Sequence, residues 1–225
     1  LNQDAWTRAV RNGEIESRER VTNRAIVERL EALAGEGAAP NMLDIGCGEG
    51  WLARAMAARG WRVTAIDAGP ELIAAAKALS AESGLSGASG ESARPDYRCM
   101  DYACLSDLSE LGDQDVLVCN FSLLGNDSVR GLLACLAWGA SKDCQLLIQT
   151  LHPYSACGVE PYCDGWRDGS WDGFSGRFIE APPWYFRTLT SWLQLLHDTG
   201  WRFQSMQEPL LDGRPASLML CAGKI

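Results

Sequence analysis

Leu43-Asp44-Ile45-Gly46-Cys47-Gly48-Glu49-Gly50 is a short apolar run that breaks into three alternating glycines, and from Trp51 onward a helical pattern takes over. That is a strand entering a tight turn and leaving as a helix. Glycines at such a turn let the main chain bend sharply and let a ligand approach where a Cβ would collide. Asp67 stands twenty-one residues beyond Gly46, at the end of the next apolar run. An acid at that distance is placed to accept hydrogen bonds from two ribose hydroxyls. Loop and acid together describe a nucleoside site. The spacing is Gly-x-Gly-x-Gly, two residues after Asp44, and not the Gly-x-Gly-x-x-Gly that sets a helix N-terminus against a pyrophosphate. An acid beside the turn suits a ligand carrying an ammonium and a sulfonium better than one carrying two phosphates. A nicotinamide-dependent oxidoreductase built on the same kind of sheet is disfavoured by that spacing.

Outward from the turn, short apolar runs alternate with helical ones. Strands are expected at 42–45, 63–66, 97–100, 116–119 and 145–150, and helices at 51–59, 71–81, 105–111 and 127–138. This alternation predicts a parallel sheet covered on both faces. Pro70 between Gly69 and Glu71 marks a helix start, since a first-turn proline lacks an amide that has no partner there anyway and the carboxylate suits the helix dipole. Ahead of the first strand, helical spacing occupies 4–11 and 14–33, and Gly35, Gly37 and Pro40 end it. The Ser/Gly/Ala stretch from 83 to 95 reads as a surface connection.

After Thr150 the rhythm stops. Residues 152–187 show neither period, contain Pro153, Pro161, Pro182 and Pro183, and carry nine aromatic side chains. A long irregular segment rich in rings reads as a lid or pocket wall, or as a loop whose rings cover a satellite core. A helix at 189–199 and strands at 201–206 and 217–222 follow. Asp212-Gly213 between those strands signals a turn and an antiparallel pair.

Composition narrows the function classes. The 225 residues carry 29 acids against 20 bases, a formal charge of −9, which repels phosphodiester backbones in the absence of a basic stripe. The densest basic segment, 18–29, is interleaved with Glu16, Glu19 and Glu28, as on a solvated helix face. Nine cysteines, an odd number without a Cys-x-x-Cys pair, read as free thiols of a reducing compartment, and no metal site is expected. No apolar run is long enough to span a bilayer, so a soluble, cytoplasmic chain is expected, with no membrane partner.

The stretch 44–50 followed by Asp67 resembles the first two motifs of the class I S-adenosylmethionine-dependent methyltransferases. Similarity extends along most of the chain: Asp101 with Tyr102 resembles the third motif, and 115–121 the fourth strand and its turn. Further runs, at 15–18, 48–51, 149–153 and 184–188, look like an uncharacterised bacterial subgroup. The resemblance implies an α/β Rossmann-like three-layer sandwich with a seven-stranded, mostly parallel sheet, an antiparallel last strand, and a cap of N-terminal helices and the aromatic-rich insertion. It implies one domain over 1–225, divided into a helical cap (1–38), a donor-binding core (41–150), a substrate-covering insertion (152–187) and a C-terminal helix and hairpin (188–225). The donor S-adenosyl-L-methionine, with S-adenosyl-L-homocysteine as product, would meet Asp44, Gly46, Cys47, Gly48, Gly50, Trp51, Asp67, Ala68, Asp101, Tyr102, Asn120 and Phe121. Asp101 also suits a helix cap, and Asn120 a turn.

Methyl transfer from a sulfonium is an in-line displacement, so a protein mainly aligns a nucleophile and excludes water. His152, at the strand end facing the expected cleft, is the candidate general base or orienting group, although a histidine before a proline also stabilises turns. Tyr154, Trp166, Trp171, Trp184 and Tyr185 are candidate apolar walls for the acceptor. Arg18 is a candidate partner for the donor's carboxylate, or an exposed arginine pairing with Glu14, and Arg187 a candidate for orienting an acidic acceptor. A small-molecule substrate is expected, with the chain monomeric or homodimeric. The alternatives are a nucleic-acid methyltransferase, which the acidic balance disfavours, and a non-catalytic S-adenosylmethionine-binding regulatory protein.

Overall fold

The computed structural model describes residues 16–34, 39–83, 94–105, 107–169 and 183–225. Expectations for 4–11, for the connection at 84–93, and for Trp171 fall outside these residues. A π-helical turn, Arg18–Thr22, leads into α1 (Asn23–Leu33). Then come β1 (Asn41–Ile45), α2 (Trp51–Ala57), β2 (Arg62–Asp67), α3 (Pro70–Glu82), β3 (Asp96–Cys99), β4 (Val116–Asn120), α4 (Asp127–Gly139) and β5 (Gln145–Thr150). The second half holds α5 (Pro153–Cys157), β6 (Gly165–Arg167), β7 (Trp184–Phe186), α6 (Leu189–Asp198), β8 (Trp201–Gln207), β9 (Leu210–Leu211), β10 (Arg214–Pro215) and β11 (Leu218–Lys224).

Seven strands form one sheet in the order β3-β2-β1-β4-β5-β11-β8. β1 pairs in parallel with β2 and β4, β2 with β3, and β4 with β5, whereas β11 runs antiparallel to both β5 and β8. The two faces read directly from alternation along each strand. Leu43, Ile45, Leu117, Cys119, Leu146 and Ile148 face the side covered by α4 and α6. Met42, Val116, Val118, Leu147 and Met219 face α1, α2 and α3. Helices on both faces make the three-layer α/β sandwich. Trp201, fully buried, ties β8 to α4 by donating its indole N–H to Leu133 O at 2.9 Å.

Boundaries follow local chemistry. α3 starts on Pro70 with Glu71 in its first turn, and α6 is capped by Thr188 Oγ1, which accepts from Ser191 N at 3.2 Å. The Asp212-Gly213 turn has φ values of 49° and 79°, the mirror-image geometry of a two-residue hairpin. That hairpin joins β9 to β10, a small ribbon set between β8 and β11.

Three expectations are corrected. Among the described residues of 105–111 there is no α-helix: 3-10 turns occupy Tyr102–Cys104 and Ser109–Leu111. Asp107 takes the Ser109 amide at 2.9 Å and its hydroxyl at 2.5 Å, a local arrangement that competes with helix. α2 stops at Ala57, with Gly60 at φ 88° just beyond. The segment after Thr150 does contain regular structure, α5 and the antiparallel β6–β7 ribbon, too short to leave a period in the sequence. Among the described residues no helix is long and apolar enough to cross a membrane.

Candidate active site

The turn after β1 is held by main chain. Gly46 N and Cys47 N both donate to Ile66 O, at 2.8 and 3.0 Å, so the loop is pinned to the end of β2. Gly46, Gly48 and Gly50 all have positive φ, at 73°, 56° and 70°, a region that L side chains avoid. Their surroundings differ. A Cβ on Gly46 would sit 2.4 Å from Ser122 Cβ, and one on Gly50 would sit 2.4 Å from the Tyr97 ring, so these two serve close packing. Gly48 has nothing within 4 Å and opens outward. Asp67 completes the frame: Oδ2 accepts from Gly48 N at 2.9 Å and Oδ1 from Gly69 N at 2.8 Å. Each of its oxygens retains a further lone pair for a ligand hydroxyl. Ala68 beside it is exposed.

Asp44 is 1% exposed, and its Oδ2 has no hydrogen-bond partner. Burial, and then the charge of Asp67, push its carboxyl up to about 7. A carboxylate buried so close to a second one needs a cation to hold its charge. The same burial raises the Cys47 and Cys119 thiols, so neither is a thiolate nucleophile at neutral pH. On the facing side, the Arg18 guanidinium lies 5.9 Å from the Trp51 ring centroid and 5.6 Å from that of Phe121. Desolvation lowers it to about 10, and it remains protonated at neutral pH. The π-turn thus brings Arg18 over the residues that begin α2 and follow β4.

At the ends of β3 and β4, Asp101 is exposed and caps a 3-10 turn, accepting from Ala103 N at 2.9 Å. Tyr102 donates its hydroxyl to Ser122 O at 3.0 Å. Asn120 is 9% exposed and its Oδ1 lacks a partner. Phe121 adopts φ 55°, unusual for a bulky residue, with its amide donating to Gln149 O at 2.7 Å. Ser122 Oγ donates to Ile45 O at 2.6 Å. The loops after β1, β2, β3 and β4 therefore meet at the carboxyl ends of these strands.

Two of the residues named for the acceptor side, His152 and Arg187, are engaged by the protein's own groups. His152 is buried, with Nε2 2.7 Å from Glu208 Oε1 and Nδ1 accepting from Tyr154 N at 3.1 Å. That pattern fixes the proton on Nε2 and occupies the lone pair a base would use. Arg187 is 4% exposed. It donates to Gly125 O at 2.8 Å and to Asn126 O at 3.0 Å, and stacks over Tyr185 and Trp192. It braces the loop before α4 and does not reach outward to an acidic acceptor. Tyr185 and Trp184 are half-buried on β7, while Tyr154 and Trp166 are strongly exposed. Trp166 meets Tyr185 edge-on at 5.6 Å. An open groove of about 530 Å³ lies between Arg130 of α4 and the start of α6, lined by Tyr162, Asp164, Thr188 and Ser191. None of the residues named from sequence lines it.

Sequence reading gave no site role to Thr22, Tyr97, Ser122, Gln149 or Glu208, although Gln149 falls in the 149–153 run singled out above. Only Gln149 carried a usable signal, a polar residue inside an otherwise apolar strand. Among the described residues no three His, Cys, Asp or Glu side chains gather as a metal site.

Residues 42–138 match the family model described as a methyltransferase domain. The ubiquinone biosynthesis O-methyltransferase of Xanthomonas axonopodis pv. citri is 38% identical over 93 residues, 40% of this chain and 35% of that relative. The match thus spans about a third of the curated relative's length. Among solved structures, an S-adenosylmethionine-dependent methyltransferase from Methanosarcina mazei superimposes with a TM-score of 0.66 at 18% identity, covering 88% of this chain and 97% of that one. Magnesium protoporphyrin IX methyltransferase from Synechocystis with bound S-adenosylmethionine gives a TM-score of 0.63 at 17% identity, covering 97% and 83%. These structural likenesses establish a shared fold.

Proposed function

We propose that this chain is a class I S-adenosylmethionine-dependent methyltransferase that methylates a small molecule, a reading supported by its fold and by the methyltransferase domain that residues 42–138 match. The observation that carries the reading is the glycine turn set between two acids. Asp44 buries a carboxylate oxygen without a donor, and Gly48 leaves open space beside it. These residues fit a cation-bearing nucleoside: an ammonium satisfies Asp44, and a backbone without a Cβ admits the ligand.

When bound, S-adenosylmethionine would supply an electrophilic methyl carbon on a positive sulfur that keeps the bonding electrons as a good leaving group. Asp67 takes the ribose hydroxyls on the lone pairs its two amide partners leave open. Arg18, held between Trp51 and Phe121, faces the carboxylate end. Asp101 and Tyr102 lie at the adenine end, Asp101 keeping its cap to Ala103 and offering its second oxygen. Gly46, Cys47 and Gly50 shape the turn, and Ala68 and Asn120 flank it.

On the acceptor side, Trp184, Tyr185, Trp166 and Tyr154 offer ring faces, with Trp171 on the same insertion. Arg187 holds that wall in place through Gly125 and Asn126. His152 is a positioning residue: with both ring nitrogens engaged, it fixes α5 against Glu208. The proton that the acceptor loses passes to water.

Titration calorimetry with S-adenosylhomocysteine tests the reading. Binding is expected, weakened about tenfold or more in Asp67→Asn. Absence of binding to the parent protein, or unchanged affinity in the variant, contradicts it.

A further inference from the structure

Beneath the π-turn lies a belt of buried polar side chains, of which only Asn120 also borders the donor turn. Asn120 and Gln149 are register partners on β4 and β5, so their side chains leave the same face of the sheet. Each is two residues past a strand residue, Val118 or Leu147, that packs toward α1 and α2. Ser217 stands two residues before Met219 on that face of β11. Thr22, the last residue of the π-turn, covers them.

All four are at least nine-tenths buried: Thr22 1%, Asn120 9%, Gln149 1% and Ser217 0% exposed. Gln149 Nε2 donates to Thr22 O at 3.2 Å and to Ser217 Oγ at 3.0 Å. Thr22 O can only accept, so this contact fixes which end of the amide is nitrogen and turns Oε1 the other way. Gln149 Oε1, Asn120 Oδ1 and Thr22 Oγ1 all lack a hydrogen-bond partner.

Buried polar atoms in folded proteins are almost always satisfied. Three unsatisfied oxygens from adjacent positions, two of them able only to accept, describe a place that waits for hydrogen-bond donors. It adjoins the donor site, because Phe121 N binds Gln149 O and Ser122 packs on Gly46. A π-turn is a rare element that concentrates at functional sites. This one is tied to the β9–β10 ribbon by the exposed pair Arg20–Asp212, at 3.0 Å, a tie weak enough to release.

We propose that Gln149, with Asn120 and Thr22, reads the acceptor, and that the belt takes the hydroxyl groups of an uncharged hydroxylated molecule. This rests on the methyltransferase reading and names its substrate class. Arg18, the cation nearest the belt, is assigned to the donor's carboxylate, and the belt residues themselves bring no charge to pair with an acidic or basic acceptor. Neutral oxygens match neutral hydroxyls.

Saturation-transfer NMR on the protein saturated with S-adenosylhomocysteine, using catechol, 1,2-dimethoxybenzene and benzylamine as probes, tests it. Catechol is expected to bind about tenfold more tightly than either other probe, the discrimination of roughly one well-made hydrogen-bonded pair. Gln149→Met and Thr22→Val, both close in shape to the parent residues, are expected to erase that preference while S-adenosylhomocysteine affinity stays within about twofold. Equal binding of catechol and its dimethyl ether, tighter binding of benzylamine, no catechol binding, or a preference that survives both variants overturns the proposal. In each of those cases bound S-adenosylhomocysteine leaves the methyltransferase reading standing. If S-adenosylhomocysteine itself does not bind, that reading falls, and the belt's assignment falls with it.

Discussion

The turn after β1 and the described residues of the segment after β5 are built in opposite ways. The first is main chain held by main chain: Gly46 and Cys47 hang from Ile66 O, and Asp67 collects two backbone amides. The second is main chain held by side chains: Arg187 grips Gly125 and Asn126, His152 joins Glu208 to the start of α5, and Arg167 pairs with Glu160. A backbone-held site depends on where glycines stand and tolerates almost no added atom. A side-chain-held site depends on a few long residues and loosens by degrees when one is changed.

The contrast predicts a ranking. Gly46→Ala comes first, because its Cβ meets Ser122 Cβ at 2.4 Å and its φ is 73°. Overpacking and left-handed strain together cost about 4 kcal/mol. Chemical denaturation is expected to show that loss together with a collapse of S-adenosylhomocysteine affinity; a change under about 1 kcal/mol would show the turn to be more pliable than its contacts imply.

Asp44→Asn comes second and has a pH signature. The folded carboxyl, at about 7, holds a proton that the unfolded chain has already released above about 4. The sign follows: the free parent protein loses stability as pH rises from the unfolded value toward 7, and the cost is complete above 7. Between about pH 5.5 and 8 the parent should lose about 2 kcal/mol that Asp44→Asn does not lose. Melting temperatures of the two proteins across that range check it, and parallel curves would place the carboxylate's cation within the protein.

Arg187→Lys is the mildest of the three. A lysine keeps the charge but cannot fork to two carbonyls or stack over Tyr185 and Trp192. About 1–2 kcal/mol of stability is expected to go, with S-adenosylhomocysteine affinity unchanged. A matching drop in that affinity would show that the two regions are coupled and not merely adjacent.

The same division explains what the amino-acid sequence disclosed. Alternating strands and helices through β5, the proline at the start of α3, and the antiparallel terminal pair follow from local rules, and all are legible. The stretch 105–111 misleads because its leucines keep helical spacing while Asp107 and Ser109 bond to each other. The glycine turn and Asp67 could be found from sequence because their spacing is that of a backbone motif, with Asp67 accepting from Gly48 N. The acceptor side resists reading because its contacts are long-range. Gln149 meets Thr22 from 127 positions away, and Glu208 reaches His152 from 56. Arg187 looks like a ligand-binding cation until its carbonyl partners, 61 and 62 residues earlier, are in place.

Phe121 holds a left-handed backbone that costs a bulky residue about 1–2 kcal/mol, and a glycine there would relieve it. The chain keeps the ring, aimed at Arg18, and bears the conformational penalty. A glycine at 121 would thus exchange backbone strain for a lost ring contact with Arg18 and a freer unfolded chain, so relief of the dihedral alone does not make the position a target for stabilisation.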